Sequence, residues 1–217
     1  MNLAGMIDHT LLKPEATPEQ IDHLCQEALE FGFASVCVNP VYVPQVSSRL
    51  KGSSVKTCTV IGFPLGASSS PIKAAEARHA VSQGAEELDM VLSIGAVKSG
   101  RWNDVKEDIL AVCSVAGSSI VKVILETCLL TDDEIVRACT IAKEAGAHFV
   151  KTSTGFSTAG ATREHVALMR QTVGPDMGVK ASGGIRTYED AMTMVAAGAN
   201  RLGASAGPKI LSDKRTT

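Results

Sequence analysis

The chain has 217 residues, 45% of them hydrophobic, and a formal net charge of −2. This length and apolar content suit a single folded domain with a substantial core and exclude a disordered chain. Charges of both signs are spread along the sequence without a basic stripe, which argues against nucleic acid or an anionic membrane as a partner. We therefore expect the partner to be a small molecule.

Short apolar, β-branched runs recur at fairly even intervals and predict eight strands. In chain order they cover residues 6–9, 34–38, 56–61, 87–91, 121–125, 148–151, 179–182 and 201–204. Helix start signals lie between them, because Thr17, Thr131 and Thr187 each precede a Gln, Glu or Asp by three residues, as in a capping box. Pro18 and Pro71 suit a first helical turn. The chain is therefore predicted to alternate strand and helix.

A weak internal repeat supports one reused βα unit. Predicted helices end in Gly32, Gly84, Gly146 and Gly198, each leading directly into the next strand. Eight such units predict a single-domain (β/α)8 TIM barrel over residues 1–217; a doubly wound open sheet is the alternative. The polar end, residues 212–217, is predicted to be a loose tail.

The six cysteines show no CxxC pair and no paired Cys/His spacing of the zinc type. They are Cys25, Cys37, Cys58, Cys113, Cys128 and Cys139. We expect them to be small buried apolar residues in a reducing compartment. The N-terminus lacks a basic region followed by a long apolar stretch, and no run approaches membrane-spanning length. These features predict a soluble, cytoplasmic protein without a membrane partner.

Two lysines lie where apolar strand-like runs end. Lys151 follows Val150, and Lys180 follows Val179. An ammonium group in an apolar site loses hydration, so such a lysine either reaches water and pairs with a carboxylate or serves chemistry. Two cations held close together each disfavour the charged form of the other, which is one way to make a neutral, nucleophilic amine. The pair therefore predicts a Schiff-base enzyme.

Functional groups of a parallel barrel lie at the carboxyl ends of its strands, which draws attention to Asp89 on the fourth predicted strand. Two-residue periodicity points Lys151 and Lys180 inward, while Val150 and Val179 face the helices. Asp89 is expected either to balance a lysine and pass protons or to form a structural ion pair.

Glycine-rich loops follow the seventh and eighth predicted strands, at residues 182–185 and 203–207. Barrel enzymes commonly bind phosphate at this pair of loops, because glycine lets backbone N–H groups approach the anion. The loops predict a phosphorylated substrate, with ordinary turns as the alternative.

Three other features carry weaker predictions. His9 and His148 lack the spacing of a metal site and are expected to be hydrogen-bonded core residues. The apolar loop at residues 62–67 is expected to be a rigid turn with a packed Phe63, or else a wall of the pocket.

Seven stretches together carry a resemblance to a known family. They are residues 7–14 (IDHTLLKP), 36–40 (VCVNP), 59–66 (TVIGFPLG), 126–128 (ETC), 151–156 (KTSTGF), 179–186 (VKASGGIR) and 203–205 (GAS). Over essentially its whole length the chain resembles the short bacterial type of deoxyribose-phosphate aldolase. The resemblance implies a class I aldolase, a lyase on a (β/α)8 barrel, that reversibly cleaves 2-deoxy-D-ribose 5-phosphate to acetaldehyde and D-glyceraldehyde 3-phosphate. It also implies deoxyribonucleotide catabolism, no metal or organic cofactor, and a homo-oligomer, either a dimer or a tetramer.

The resemblance further assigns roles to residues. Lys151 is implied as the Schiff-base nucleophile, Lys180 as the amine that favours its neutral form, and Asp89 as the third member of a proton relay. The implied phosphate site consists of Gly155, Gly183, Gly184, Gly203 and Ser205. Phe156 stands where some relatives have a lysine, so phosphate binding is expected to rest on backbone amides and Ser205.

Other readings stay open at the level of sequence. A non-covalent phosphosugar isomerase or epimerase would use a carboxylate, for which Glu126 after the fifth predicted strand is the candidate, but it leaves Lys151 and Lys180 unexplained. A metal-dependent aldolase lacks ligands at sensible spacing. A non-catalytic sugar-phosphate binding protein would have no use for a buried pair of amines.

Overall fold

Parallel strands close into a barrel in the computed structural model, which describes residues 2–213. Each strand pairs with its neighbours in sequence, and β1 pairs with β8. The strands within these residues are β1 (Ile7–Leu11), β2 (Ser35–Val38), β3 (Lys56–Ile61), β4 (Glu87–Val91), β5 (Ile120–Ile124), β6 (Phe149–Lys151), β7 (Gly178–Ser182) and β8 (Arg201–Ala204). The predicted (β/α)8 barrel is confirmed, and an open sheet is excluded.

Helices follow the strands in turn and cover the outside of the barrel. Within the described residues they are α1 (Pro18–Phe31), α2 (Val43–Leu50), α3 (Ser70–Ser82), α4 (Ile94–Lys98), α5 (Trp102–Cys113), α6 (Asp132–Glu144), α7 (Arg163–Val173), α8 (Tyr188–Ala196) and α9 (Gly207–Asp213). Short 3₁₀ turns occupy Ala4–Met6, Pro40–Tyr42 and Thr127–Leu129. Two helices, α4 and α5, connect β4 to β5.

The predicted helix starts are confirmed by their cap geometry. Thr17, Thr131 and Thr187 each accept a hydrogen bond from the third helical N–H, and the side chain at that third position bonds back to the cap. Pro18 and Pro71 both lie in first turns. These caps satisfy backbone donors that a helix start leaves unpaired.

The glycines predicted at the helix ends also occupy their expected conformation. Gly32, Gly84, Gly146 and Gly198 all have positive φ. A residue with a Cβ would be strained there, so each glycine lets the chain turn sharply into the next strand.

Two apolar regions make up the core. The larger one fills the layer between strands and helices, where Val36, Val150 and Val179 are completely buried. A small cluster of Leu12, Cys37, Cys58 and Val60, with Phe63 packed against it, lies on its own. Since the Cys58 sulfur lies 3.5 Å from the Lys122 Nζ, this second cluster borders the charged groups inside the barrel.

The predictions that the cysteines and two histidines are buried are only partly confirmed. Four cysteines are buried, but Cys113 and Cys128 are only half-buried, so the prediction is wrong for these two. His9 is buried and bonds the Glu27 carboxylate at 2.7 Å. His148 accepts a hydrogen bond from a backbone N–H, but it is exposed and not a core residue.

The structure describes only the first two residues of the predicted loose tail, residues 212–217. Ser212 and Asp213 belong to α9 and are not loose, because helix formation extends to this point. The rest of the predicted tail, residues 214–217, lies outside the described residues.

Candidate active site

Charged side chains from six strands meet inside the barrel. They are Asp8 on β1, Glu87 and Asp89 on β4, Lys122 on β5, Lys151 on β6, Lys180 on β7 and Arg201 on β8. Strand register brings them together, since Lys151 pairs with Lys180 and Lys180 pairs with Arg201 on the neighbouring strand. The inward direction predicted for Lys151 and Lys180 is confirmed by their shared partner, Asp89.

Asp89 is the centre of this network. Its Oδ2 accepts hydrogen bonds from Lys151 Nζ at 2.8 Å and Lys180 Nζ at 2.7 Å, and its Oδ1 accepts one from Lys122 Nζ at 2.7 Å. Burial alone would raise the pKa of Asp89, but the three ammonium charges hold the pKa well below its usual range. Asp89 is therefore a carboxylate, bonded by amines on both oxygens.

Two of the amines are paired more than once. Lys180 forms ion pairs with Asp8 and Asp89, and Lys122 contacts Glu87 at 2.6 Å as well as Asp89. Burial would lower the pKa of each lysine, yet the surrounding carboxylates raise both pKa values above the usual range. The charged form of Lys122 and of Lys180 is therefore favoured.

Lys151 differs from the other two amines in its partners. Among the described residues its only ion-pair partner is Asp89, which it shares with Lys122 and Lys180. The network holds four cationic side chains against three carboxylates, so it is electrically balanced when one amine is neutral. Lys151 forms one ion pair in the network, against two for Lys180 and three for Lys122.

A pocket of about 250 Å³ opens at the carboxyl ends of the strands. Lys151 lines it, whereas Lys122 and Lys180 are not among the described residues of its wall. All five predicted phosphate-site residues line the same pocket, namely Gly155, Gly183, Gly184, Gly203 and Ser205. A wider depression of about 600 Å³ lies on the outer surface of the protein and is lined by residues of α1 and by Arg49 of α2.

Glycine is needed at two places in the pocket wall for different reasons. Gly184 has a φ of +84°, a conformation that side chains with a Cβ rarely adopt. Gly203 has ordinary φ, but a Cβ there would lie 2.9 Å from the Ser182 Cβ and 3.2 Å from the Lys180 Cε. Gly203 thus leaves room for the Lys180 side chain as it crosses towards Asp89.

Two cations missed as site residues also line the pocket. Lys13 and Arg186 are both exposed and stand at its wall. Arg186 directly follows the Gly183-Gly184-Ile185 loop, so its sequence position next to a predicted phosphate loop was an available signal. Both residues bring positive charge to the pocket that the glycine loops also line.

The aromatic residues at the pocket mouth form one contact. Phe156 lines the pocket and is 51% exposed, and its ring meets the half-buried Phe63 edge to face at 5.2 Å. The loop containing Phe63 is therefore packed, as expected for a rigid turn, and it supports the pocket wall through Phe156.

Glu126 is not available as a catalytic base of the pocket. It is buried, has a φ of +56°, and its two carboxylate oxygens accept hydrogen bonds from the backbone N–H and the hydroxyl of Thr154. It is absent from the described pocket lining. Its contacts instead hold the loop after β6 in place, which removes the main structural support for an isomerase.

Sequence reasoning also missed four members of the charged network: Asp8, Glu87, Lys122 and Arg201. Lys122 carried the same signal as Lys151, since it lies between Val121 and Val123 in an apolar run. Arg201 and Glu87 begin their strands, where charged residues are ordinary, so no local signal marked them. Their contact across the barrel depends on closure of the sheet.

A (β/α)8 barrel with buried amines on its strands and a glycine-lined pocket at their carboxyl ends has the architecture of a barrel enzyme, whose active site lies at this end. Comparison with known families identifies the family of enzymes. A model of the DeoC/LacD family aldolases matches residues 3–213, and the chain belongs to this family. The protein is therefore an aldolase, a carbon–carbon lyase.

Individual relatives agree with the family assignment. The chain is 59% identical to a deoxyribose-phosphate aldolase of Clostridium tetani, over 99% of this chain and all of the relative, and 60% identical to one of Brevibacillus brevis, over 100% and 98%. Among solved structures, the deoxyribose phosphate aldolase of Aeropyrum pernix, described as tetrameric, superposes with a TM-score of 0.92 at 38% identity. That match covers 99% of this chain and 91% of the other.

Among residues 2–213, none of the helices combines the length and the apolar character that a bilayer crossing requires.

Proposed function

We propose that this aldolase reversibly cleaves 2-deoxy-D-ribose 5-phosphate into acetaldehyde and D-glyceraldehyde 3-phosphate, with Lys151 as the Schiff-base nucleophile. The observation that carries the proposal is the position of one amine. Lys151 Nζ bonds Asp89 beneath the pocket, and Lys151 lines the same wall as the glycine loops. The names of the close relatives support the substrate.

The first step needs a neutral amine. Lys151 attacks C1 of the open-chain sugar phosphate, and loss of water gives an iminium that withdraws electrons from the adjacent bonds. The four cationic side chains of the network exceed its three carboxylates by one, and Lys151 has the fewest ion pairs to lose. Asp89 keeps its bond to Lys180 while the Lys151 nitrogen becomes part of the iminium.

Carbon–carbon cleavage follows. Asp89, through a bound water, takes the proton from the C3 hydroxyl while the Lys180 ammonium holds the carboxylate in place, and the C2–C3 bond breaks to release glyceraldehyde 3-phosphate. An enamine of acetaldehyde stays on Lys151 until C2 is protonated and water hydrolyses the resulting iminium. The same steps in reverse make the carbon–carbon bond.

The phosphate group is proposed to bind at the glycine loops. Gly155, Gly183, Gly184, Gly203 and Ser205 offer backbone N–H groups and one hydroxyl along the same pocket as Lys151. The adjacent cation of Arg186 adds charge, which compensates for the apolar Phe156. Binding energy from a remote phosphate positions the reacting carbons.

Covalent capture tests the nucleophile. Borohydride reduction in the presence of acetaldehyde should add an ethyl group to Lys151, found by intact mass and peptide mapping. Lys151→Leu should lose both the adduct and the turnover of 2-deoxy-D-ribose 5-phosphate. Lys13→Leu is the matched control, since Lys13 lines the same pocket but is exposed, and its loss should leave the adduct on Lys151.

An adduct on Lys13 or Lys180, or turnover by Lys151→Leu, would contradict the proposed role of Lys151. If folded protein binds the sugar phosphate but forms neither adduct nor product, it is a sugar-phosphate binding protein and the aldolase proposal fails.

Assembly and location belong to the same proposal. We expect a homo-oligomer, a dimer or a tetramer, supported by the tetrameric relative from Aeropyrum pernix. We expect it in the cytoplasm, where the free thiols of its six cysteines stay reduced. Light scattering coupled to size exclusion, and fractionation of cells, measure these two properties.

A further inference from the structure

Two thiols and a carboxylate converge inside the barrel beside the ion network. Cys37 of β2 and Cys58 of β3 are paired residues on adjacent strands, and both are completely buried. Their sulfur atoms and a carboxylate oxygen of Asp89 all lie within 4.8 Å of one another. The proposed aldol reaction uses neither thiol.

The spacing of these atoms corresponds to a metal coordination sphere. The Cys58 sulfur lies 3.4 Å from Asp89 Oδ1. A tetrahedral zinc ion with ordinary Zn–S and Zn–O bonds separates a sulfur and an oxygen ligand by about 3.5 Å. Such an ion would need little movement of Cys58 or Asp89.

We propose that Cys37, Cys58 and Asp89 form a binding site for a thiolate-preferring divalent cation, Zn²⁺ or Cd²⁺, and that occupation of this site inhibits the enzyme. Sulfur ligands select such soft ions over Mg²⁺ or Ca²⁺. The site goes beyond the proposed function, since it contributes nothing to aldol chemistry.

Charge balance allows a dication to enter next to three lysines. Both thiols release their protons on binding, so the ion brings two positive charges and two protons leave. The total charge of the barrel interior therefore stays the same. Lys122, which gives up Asp89 Oδ1, keeps its 2.6 Å contact with Glu87.

The two thiols ionise unequally. A hydrogen bond from Cys58 and the charges of Lys180 and Lys151 lower the pKa of Cys37 against the effect of burial. Burial raises the pKa of Cys58 well above its usual range. Because binding must expel the Cys58 proton, the affinity for the ion should increase with pH.

Inhibition follows from the shared carboxylate. Asp89 Oδ2 holds both Lys151 and Lys180, and a dication on Oδ1 draws electron density from that carboxylate. The bond that orients Lys151 becomes weaker, and the proton relay loses its anion. The ion thus acts on turnover without occupying the glycine-lined pocket.

The test is a titration of the reduced protein with CdCl₂, followed by the ultraviolet charge-transfer absorption of cadmium–thiolate bonds. We expect saturation at one ion per chain, counted by native mass spectrometry, with loss of turnover that parallels the absorption and is reversed by a chelator. ZnCl₂ should compete for the same site. The absorption does not depend on catalysis, so it reports on the site even if the proposed substrate is wrong.

Cys37→Ala and Cys58→Ala should each weaken Cd²⁺ binding by more than about a hundredfold, since loss of even an outer-shell partner costs about 10- to 100-fold. Each variant should also escape inhibition, measured against its own metal-free rate. Cys139→Ala is the control for a single buried thiol and Cys128→Ala for the half-buried one; both should bind Cd²⁺ like the wild type.

Cys37→Ala and Cys58→Ala each remove one proposed ligand, so the test stays decisive if one of these two variants does not fold. Absence of the charge-transfer absorption in wild-type protein would overturn the proposal. So would unchanged affinity in a folded Cys37→Ala or Cys58→Ala chain, or loss of binding in the Cys128→Ala control, which would locate the ion on the surface.

Discussion

At the residue scale, the site depends on how closely side chains pass one another inside the barrel. Lys180 reaches Asp89 by running past the Cα atom of Gly203 on the next strand. Its ammonium then meets Asp89 and Asp8, while Lys151 approaches the same Asp89 oxygen. One carboxylate can orient two amines only if both lysine stems have an open path.

Substitution of Gly203 by alanine should therefore lower turnover without unfolding the barrel. The added Cβ would lie 2.9 Å from the Ser182 Cβ and 3.2 Å from the Lys180 Cε, closer than side chains normally approach. Displacement of a catalytic group by a fraction of an ångström to 1 Å should reduce kcat/KM about ten- to a hundredfold. Steady-state kinetics with 2-deoxy-D-ribose 5-phosphate measure the effect.

Gly95→Ala is the matched control. Gly95 lies in α4 with ordinary φ, and a Cβ there meets nothing within 4 Å. Its substitution should leave kcat/KM unchanged. Wild-type kinetics for Gly203→Ala would show that the path of Lys180 past Gly203 does not matter.

At the element scale, register and caps place the residues. Consecutive strands β6, β7 and β8 bring Lys151, Lys180 and Arg201 side by side, because each strand pairs in register with the next. The loop before α6 contains Glu126 and ends at the cap residue Thr131. The capping box at Thr131 stabilises this connection, because it pairs backbone N–H groups that the first turn of α6 would otherwise leave without a partner.

Thr131→Ala should destabilise the protein by about 1 kcal/mol, the usual cost of losing an N-cap side chain. The Thr131 hydroxyl accepts a bond from the Glu134 N–H, and alanine cannot replace it. Urea unfolding, with the change in midpoint converted to free energy, measures the loss. Turnover at saturating substrate should stay near that of the wild type.

Thr140→Ala in the same helix provides the comparison. The Thr140 hydroxyl is exposed and bonds the Val136 carbonyl, an interaction that helices do not need. Alanine there should be neutral or slightly stabilising because of its helix propensity. Equal losses in both variants would mean that the cap contributes nothing particular.

At the scale of the whole molecule, the barrel is held together by charges as well as by apolar packing. Asp8, Glu87 and Asp89 are completely or almost completely buried, and they pair with cations that come from β5, β6, β7 and β8. Removing one partner from such a buried network leaves an uncompensated charge, which costs about 3–5 kcal/mol. The same groups make stability depend on pH.

The direction of that dependence follows from the pKa shifts. The pKa values of Asp8 and Asp89 are lowered in the folded protein, so their contribution is present above the unfolded value of about 3.9 and is lost as pH falls through the folded pKa. The pKa values of Lys122 and Lys180 are raised, so theirs is complete below about 10.4 and is lost as pH rises further. The unfolding free energy should be highest between about pH 5 and 9.

Asp8→Asn should test this at one residue. We expect a loss of about 3–5 kcal/mol at pH 7 and a smaller further decline towards pH 3, because one depressed carboxyl no longer titrates. Chemical denaturation at several pH values measures both. Asp104→Asn is the control: it removes an exposed pair with Arg101 and should change the unfolding free energy by less than about 1 kcal/mol. The same dependence of unfolding free energy on pH in both variants would contradict the role of the network.

Much of the site was predictable because its signals are local. Lys151, Lys180 and Asp89 stand in apolar runs where a charge is out of place, and the glycine loops follow strands at the positions where barrels bind phosphate. Arg201 and Cys58 carried no such signal. Arg201 begins a strand, and Cys58 looks like any small buried residue until the fold brings Cys37 beside it.

Residue periodicity and capping act over a few residues, so the sequence alone predicted the alternation of eight strands and their helices, the caps at Thr17, Thr131 and Thr187, and the inward direction of Lys151 and Lys180. Closure of the barrel decided that Asp89 holds three amines and lies next to two thiols. It also decided that Glu126 holds a loop and does not face the pocket. These contacts join distant strands, and they arise from the register and closure of the barrel, which no local pattern encodes.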